Sequence, residues 1–295
     1  MTSSQPTNAN IGLLLPEIIT KADSLQAAPG VVSQVLALTA DPDFAMDRMV
    51  RLVRLDPALT AHVLKMCNSP YYGLRQKVAS LDHAIAVLGV NALVDMVLSS
   101  GLLRLFSNKT QDGYLLKKGQ LWRHNVACGL ITQKLTVGLK LNSSVLFTSA
   151  LLHDVGKLVL SQFVSQSFYE IESLIEEHDY SLVEAEKEVL GIDHATLGGI
   201  IVEKWAFPED IIRAITYHHH PLSIPDPPKM IVLVALANQL ATAVEYGLEV
   251  ADANAEASIS QLAHVLNISI ESEEALCAQA AGWLMSARDM FNILM

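Results

Sequence analysis

ALLHDVGKLVL, residues 150–160, is an apolar run interrupted by an adjacent imidazole and carboxylate, His153 and Asp154. Leaving that pair unpartnered among leucines and valines costs several kcal/mol, roughly, so both side chains require a strong partner such as a metal ion or a fixed donor. Neighbouring residues on a helix project about 100° apart. The two groups can therefore flank one ion, provided other segments complete its shell. A buried structural ion pair is the competing reading, and it ranks lower because pairing alone often fails to offset desolvation. Further histidines stand beside helix-like apolar patterns in other segments: His124, His194, His218, His219 and His220.

The 295 residues are 51% hydrophobic and 17% charged, enough for a large core in one big domain or two. No uninterrupted apolar run reaches the roughly 18 residues of a membrane span, because Asp95, His153 with Asp154, and Asn238 with Gln239 break the best candidates. The N-terminus, MTSSQPTNAN, has neither a basic start nor an apolar stretch, so no export signal is expected. Cys67, Cys128 and Cys277 are odd in number and far apart, which suggests neither a disulfide framework nor a thiolate zinc site. A soluble protein of the reducing cytoplasm, with no membrane partner, fits these features. The net charge of −11 argues against attraction to phosphate backbones, and no nucleic-acid partner is expected.

Along the chain, residues 1–10 read as a disordered tail and order is expected from Ile11. Pro29-Gly30 marks a turn, VVSQVLALTA a helix, and both Asp41-Pro42 and Asp56-Pro57 read as a cap followed by a first helical turn. Between these caps Phe44, Met49, Leu52 and Val53 recur near helical spacing, leaving Asp47, Arg48, Arg51 and Arg54 mostly on another face, read as solvated in preference to phosphate-binding. Asn68 and Gly73 end the next helix, Ser80 and Gly89 bound a short one, and 91–106 form a longer apolar helix. The composition of SNKTQDGY, 107–114, marks a boundary between an N-terminal helical subdomain, 11–108, and a second, 109–295, with a C-terminal helical extension. In the second, helices are expected over 146–163, 168–178, 182–190, from His194 to Pro208, over 209–219 and over 229–249. The fold is thus expected to be all-α.

The order of these words resembles that of HD-domain phosphohydrolases: a first His (His124 in LWRHN), the pair His153 and Asp154, and a late Asp, where this chain has Asn238 in VALANQLA. Upstream, Asp56-Pro57-Ala58-Leu59, CNSPYYG with Asn68, Ser69, Tyr71 and Gly73, and SLDHAIAVLG are similar to the HDOD family, a branch found in bacterial signalling. GIDHATLGGIIVEKWAFPEDIIRAITYHHHP is similar to it as well, so the resemblance spans about residues 11 to 240 and leaves the last fifty-odd without a motif.

The resemblance implies two packed helical subdomains and a site in which His124, His153 and Asp154 form one half and Asp154, His194, His218 and His219 the other, the carboxylate bridging. The ion would be iron, manganese, zinc or magnesium, and two such ions could polarise a phosphoryl oxygen and generate hydroxide. In an active enzyme Asp154 and Lys157 would be catalytic, the lysine touching substrate phosphate. Asn238 offers a neutral amide, a weak or absent ligand for a hard ion. Gln120 stands where three-metal relatives carry Glu, and HHHPLSIPDPPK lacks their DGxGYP text, which disfavours cyclic dinucleotide hydrolysis. Each residue also has a plainer reading: His124 as a core histidine, His218 to His220 as helix-end residues, Asn238 as an interhelical hydrogen bonder, Lys157 as a snorkelling side chain. The expectation is a signalling or scaffolding module with a retained, partly degraded metal site, its partner a signalling protein or a small phosphorylated ligand. The alternative is an active phosphomonoesterase or phosphodiesterase.

Overall fold

Side-chain caps start helices where the sequence expects them at Asp56, Ser80 and Ser181. The computed structural model of the chain, described for residues 8–23, 25, 30–39, 46–107, 112–137, 139, 141–246 and 257–289, is all-α, with no β-strand among the described residues. The first helices are α1 (Asn8–Asp23), α2 (Gly30–Thr39), α3 (Met46–Arg54), α4 (Pro57–Cys67), α5 (Leu81–Leu88) and α6 (Val90–Ser107). Asp56 accepts a hydrogen bond from Leu59 N at 3.0 Å and Pro57 opens α4. At the other end, Asn68 donates to the carbonyls of Leu64 and Val78 and accepts from Val78 N, which ties the CNSPYYG turn to the segment before α5. Gly73 then adopts φ +57°, a conformation that favours glycine. On α3, Met49, Val50 and Val53 are buried and the three arginines are exposed, with Arg54 bonded to Asp82.

The later helices are α7 (Gln120–Leu135), α8 (Ser143–Leu152), α9 (Lys157–Gln166), α10 (Phe168–His178), α11 (Leu182–Leu190), α12 (His194–Lys204), α13 (Glu209–Thr216), α14 (Lys229–Ala241), α15 (Ile259–Val265) and α16 (Glu273–Ser286). A capping box on Ser181 and Glu184 starts α11, and Gly191 ends it. α7, α8, α13 and α14 pack on one another at the centre, and α15 and α16 cover α14 and α7. The N-terminal helices close over this layer at two places: α6 on α7 and α8, and α1 on α9, α11 and α12.

Several expected boundaries shift. α1 begins at Asn8, within the stretch read as a tail, while residues 1–7 and the Asp41-Pro42 cap lie outside the described residues. The expected 146–163 helix is divided at His153, and α13 ends at Thr216 instead of His219. The same device causes both breaks. His153 Nδ1 donates to Ala150 O at 2.7 Å and His218 Nδ1 to Ile215 O at 2.6 Å, so each imidazole takes a carbonyl of the last helical turn. α14 stops at Ala241 and passes into a π turn, Thr242–Tyr246, and 247–256 lie outside the described residues. Because the backbone stays right-handed at His153 and Gly156, 143–166 together reach the length of a membrane span, but 89% of its most apolar 18-residue window is buried inside the protein. It is the core on which the site is built.

One buried carboxylate lies away from that site. Asp95 on α6 accepts from Gln133 Nε2 of α7 at 2.5 Å, while its Oδ1 has no hydrogen-bond partner. Burial pushes its carboxyl up to about 7, against the pull of hydrogen bonds from Gln133 and Ser144. A folded value above the unfolded one means that its contribution is fully present below about pH 4 and is lost as pH rises through about 7. Wild type should therefore lose a few kcal/mol, roughly, across that window relative to Asp95→Asn, which has nothing to titrate. Denaturant unfolding at pH 4.5 and pH 8 checks this, and a constant difference between the two proteins would contradict it.

Candidate metal centre

Between α8 and α9 the chain tightens. Val155 N bonds to Leu152 O at 2.9 Å, Lys157 N to Asp154 O at 3.0 Å and Leu158 N to Val155 O at 3.1 Å, the i→i+3 pattern of a 3-10 turn. Three residues per turn place side chains i and i+3 over one another, so Lys157 lies directly over Asp154. Its Nζ is 2.9 Å from both carboxylate oxygens and donates to Oδ2. It also lies 5.8 Å from the Tyr114 ring centroid. The turn needs Gly156, since a Cβ there would stand 2.0 Å from the carbonyl oxygen of His194. That close approach brings the start of α12 against the His-Asp turn.

The Asp154 carboxylate is fully buried and has a different set of neighbours at each oxygen. Toward Oδ2 point His153 Nε2, at 3.4 Å, and His124 Nε2 of α7, at 3.9 Å. Toward Oδ1 point His194 Nε2, at 3.3 Å, and His218 Nε2, at 3.9 Å. His219 Nε2 completes this side, 3.0 Å from His194 Nε2. With Nδ1 of His153 and His218 donating to carbonyls, their Nε2 lone pairs face inward. Both, together with Asp154 Oδ1, are buried without a hydrogen-bond partner. An orphaned buried acceptor costs about 1–3 kcal/mol, and the two imidazole nitrogens face one carboxylate, as ligands in a metal shell do. One group of candidate ligands is Asp154, His194, His218 and His219, a second is His124, Cys128 and His153, and within each the ligand atoms lie within 4.8 Å of one another. The residues fit a divalent ion.

The buried charges act on each of these groups differently. Burial alone would raise the Asp154 carboxyl, but the Lys157 ammonium, with His153 and His194, outweighs burial and holds it well below the usual carboxylate range. Burial pushes His153 down to about 3 and His218 well below the ordinary imidazole value, which leaves both neutral and able to ligate. For His194 burial also acts downward, but the Glu186 carboxylate overrides it and carries the group up to about 9. Glu186 Oε2 accepts from both His194 N, at 2.8 Å, and Nδ1, at 2.7 Å, while Tyr114 Oη donates to Oε1 at 2.6 Å.

His124, His153, Asp154, His194, His218 and His219 thus come together, drawn from α7, the α8–α9 turn, α12 and the bend after α13. Asn238 of α14 is beside them, with Oδ1 2.9 Å from His124 Nε2, and with His218, His219, Ala235 and Gln239 it lines a cavity of about 200 Å³. His220 belongs to neither ligand group. Lys157, implied to touch substrate phosphate, is buried against the carboxylate of Asp154. Sequence reasoning missed Glu186, Tyr114 and Cys128. Glu186 had a signal: Leu182, Val189 and Leu190, at i−4, i+3 and i+4, place it on the apolar stripe of α11. Cys128 follows His124 by four residues, one helical turn, whereas nothing near Tyr114 marks it.

A carboxylate behind a ligating histidine fixes its tautomer and raises its basicity. Glu186→Gln should weaken divalent-ion affinity by about 10- to 100-fold while leaving the helical circular dichroism intact, as measured by competition with a chromophoric chelator. Unchanged affinity would mean that Glu186 serves the fold alone.

The HDOD domain model matches residues 25–221. A curated relative from Treponema pallidum (strain Nichols), itself uncharacterized, is 23% identical over 228 residues; the match covers 76% of this chain and only 44% of the relative. Among solved structures, an HDOD domain protein of unknown function from Geobacter sulfurreducens superposes with a TM-score of 0.79 at 24% identity, covering 98% of this chain and 99% of that one. A Shewanella amazonensis protein assigned provisionally as a phosphohydrolase gives 0.72 at 22%, covering 94% and 98%. These likenesses share the helical fold described above. The chain belongs to the HDOD domain family.

Proposed function

We propose that this chain is a bacterial signal-transduction module of HDOD type, which holds a divalent ion on Asp154, His194, His218 and His219, binds a signalling protein or a small phosphorylated ligand, and does not hydrolyse phosphate esters. The observation that carries this reading is the position of Lys157. The cation a phosphate would need is tied at 2.9 Å to Asp154 and is buried beneath Tyr114. Asn238 points the same way, since its amide stands against His124 where a carboxylate would strengthen that half of the site.

The chain's own residues would act as a clamp. Asp154 fixes the ion, Glu186 orients His194, and the histidines after α13 join the α8–α9 turn to the end of another helix. A divalent ion bound there supplies Lewis-acid polarisation of an oxygen ligand. In this reading it also cross-links segments distant in sequence, adding its binding free energy to folding. Iron, manganese or zinc suits an imidazole-rich set better than magnesium does.

A second reading, metal-dependent phosphohydrolase, is favoured by the complete histidine set and by the cavity at Asn238 through which a small phosphate could reach His218 and His219. Asn238→Asp separates the two. The change is nearly isosteric and sets a carboxylate beside His124. Assayed against phosphomonoesters and phosphodiesters with added manganese or iron, wild type should show no turnover above a protein-free control, and the variant should bind the added ion more tightly. Wild-type turnover equal to the variant's would establish the enzyme reading.

A further inference from the structure

Cys128 projects from α7 one turn beyond His124, into the Oδ2 side of Asp154. Its Sγ is 3.6 Å from His124 Nε2. As a hydrogen bond that contact is long and weak. It is also the edge of a coordination tetrahedron: a zinc–sulfur bond of about 2.3 Å and a zinc–nitrogen bond of about 2.0 Å, opened to the tetrahedral angle, separate S and N by about 3.5 Å. The neighbouring edge, from His153 Nε2 to Asp154 Oδ2, is 3.4 Å. The ligand atoms of His124, Cys128 and His153 lie within 4.8 Å of one another, and Asp154 Oδ2 faces the two imidazoles at 3.9 and 3.4 Å. Of these, His153 Nε2 is a fully buried lone pair with no hydrogen-bond partner, aimed at the same place.

We propose that Cys128 is a metal ligand, and that His124, Cys128, His153 and Asp154 Oδ2 form a tetrahedral site for zinc, distinct from the histidine-rich site on Oδ1. This deepens the functional reading above and rests on it, because Asp154 must be a metal-bound carboxylate for either site to exist. A thiolate changes what the Oδ2 side selects. Asn238 gives it only a neutral carbonyl, which serves a hard ion poorly, whereas sulfur favours zinc over magnesium and manganese. Binding replaces the Cys128 S–H bond by a sulfur–metal bond and releases one proton to solvent. Closed by four protein ligands, with no position left for water, this site would be structural. It would pin the middle of α7 to the α8–α9 turn.

Cobalt reports the sulfur directly. The full-length protein is stripped with chelator, reloaded with Co(II), and its near-ultraviolet absorption recorded together with cobalt content. The expected result is a sulfur-to-cobalt charge-transfer band in wild type and in Cys277→Ser. Cys128→Ser should lack the band and hold about one equivalent less metal, with a normal circular dichroism spectrum. Cobalt bound to wild type without that band overturns the Cys128 proposal and leaves the histidine-rich site standing. A band that persists in Cys128→Ser overturns it too, since another thiol would be the ligand. Wild type that binds no cobalt at all removes both this site and the functional reading beneath it. Should Cys128→Ser fail to fold, the wild-type spectrum still decides between a sulfur-bound ion and its absence.

Discussion

The arrangement depends on one carboxylate held out of water. Asp154 is fully buried, and a carboxylate in such a place persists only if the surrounding charges and lone-pair partners offset the several kcal/mol lost with its hydration. Lys157 supplies part of that compensation through an ion pair set by the 3-10 geometry of the turn. It leaves Oδ1 without a hydrogen bond, and the inward Nε2 atoms of His153 and His218 without a donor. A core that turns two unpartnered imidazole nitrogens toward one charge suits a cation. An apolar substitute would pack more cheaply.

From that constraint the local structure follows. The two histidines that end helices, His153 and His218, use Nδ1 to hold the preceding carbonyl and so present Nε2 to the carboxylate. Gly156 lets α12 approach close enough for His194 to reach Asp154, and Glu186 with Tyr114 forms a buried relay behind that histidine. α6 closes over α7 and α8, and α1 over α9, α11 and α12. The N-terminal half therefore belongs to the burial that makes the site possible.

Much of this was legible in the sequence because polar residues in apolar helices carry strong signals. His153, Asp154 and Asn238 stand out against leucine, valine and alanine, and the caps at Asp56, Ser80, Ser181 and Gly191 mark helix ends through local hydrogen bonds alone. What local patterns leave open is any break caused by a side chain that bonds its own helix. The 146–163 segment has no proline, and it breaks where the imidazole of His153 takes a carbonyl and Gly156 admits α12. The place of Lys157 over Asp154 likewise depends on the tighter turn, which the residue pattern does not announce. Tyr114 reaches Glu186 across 72 positions, a contact that no spacing rule anticipates.

The central claim is that Asp154 carries a metal ion in the working protein. Thermal unfolding of the full-length chain, as purified and after treatment with a strong chelator, tests it most directly, with metal content measured on both samples. The account predicts bound transition metal in the first sample and a melting temperature several degrees lower in the second, recovered when the ion is returned, because an ion bound to the folded state alone stabilises it by mass action. Protein that contains no metal and melts at the same temperature with and without chelator would contradict it, and would make the Asp154–Lys157 pair a purely structural one.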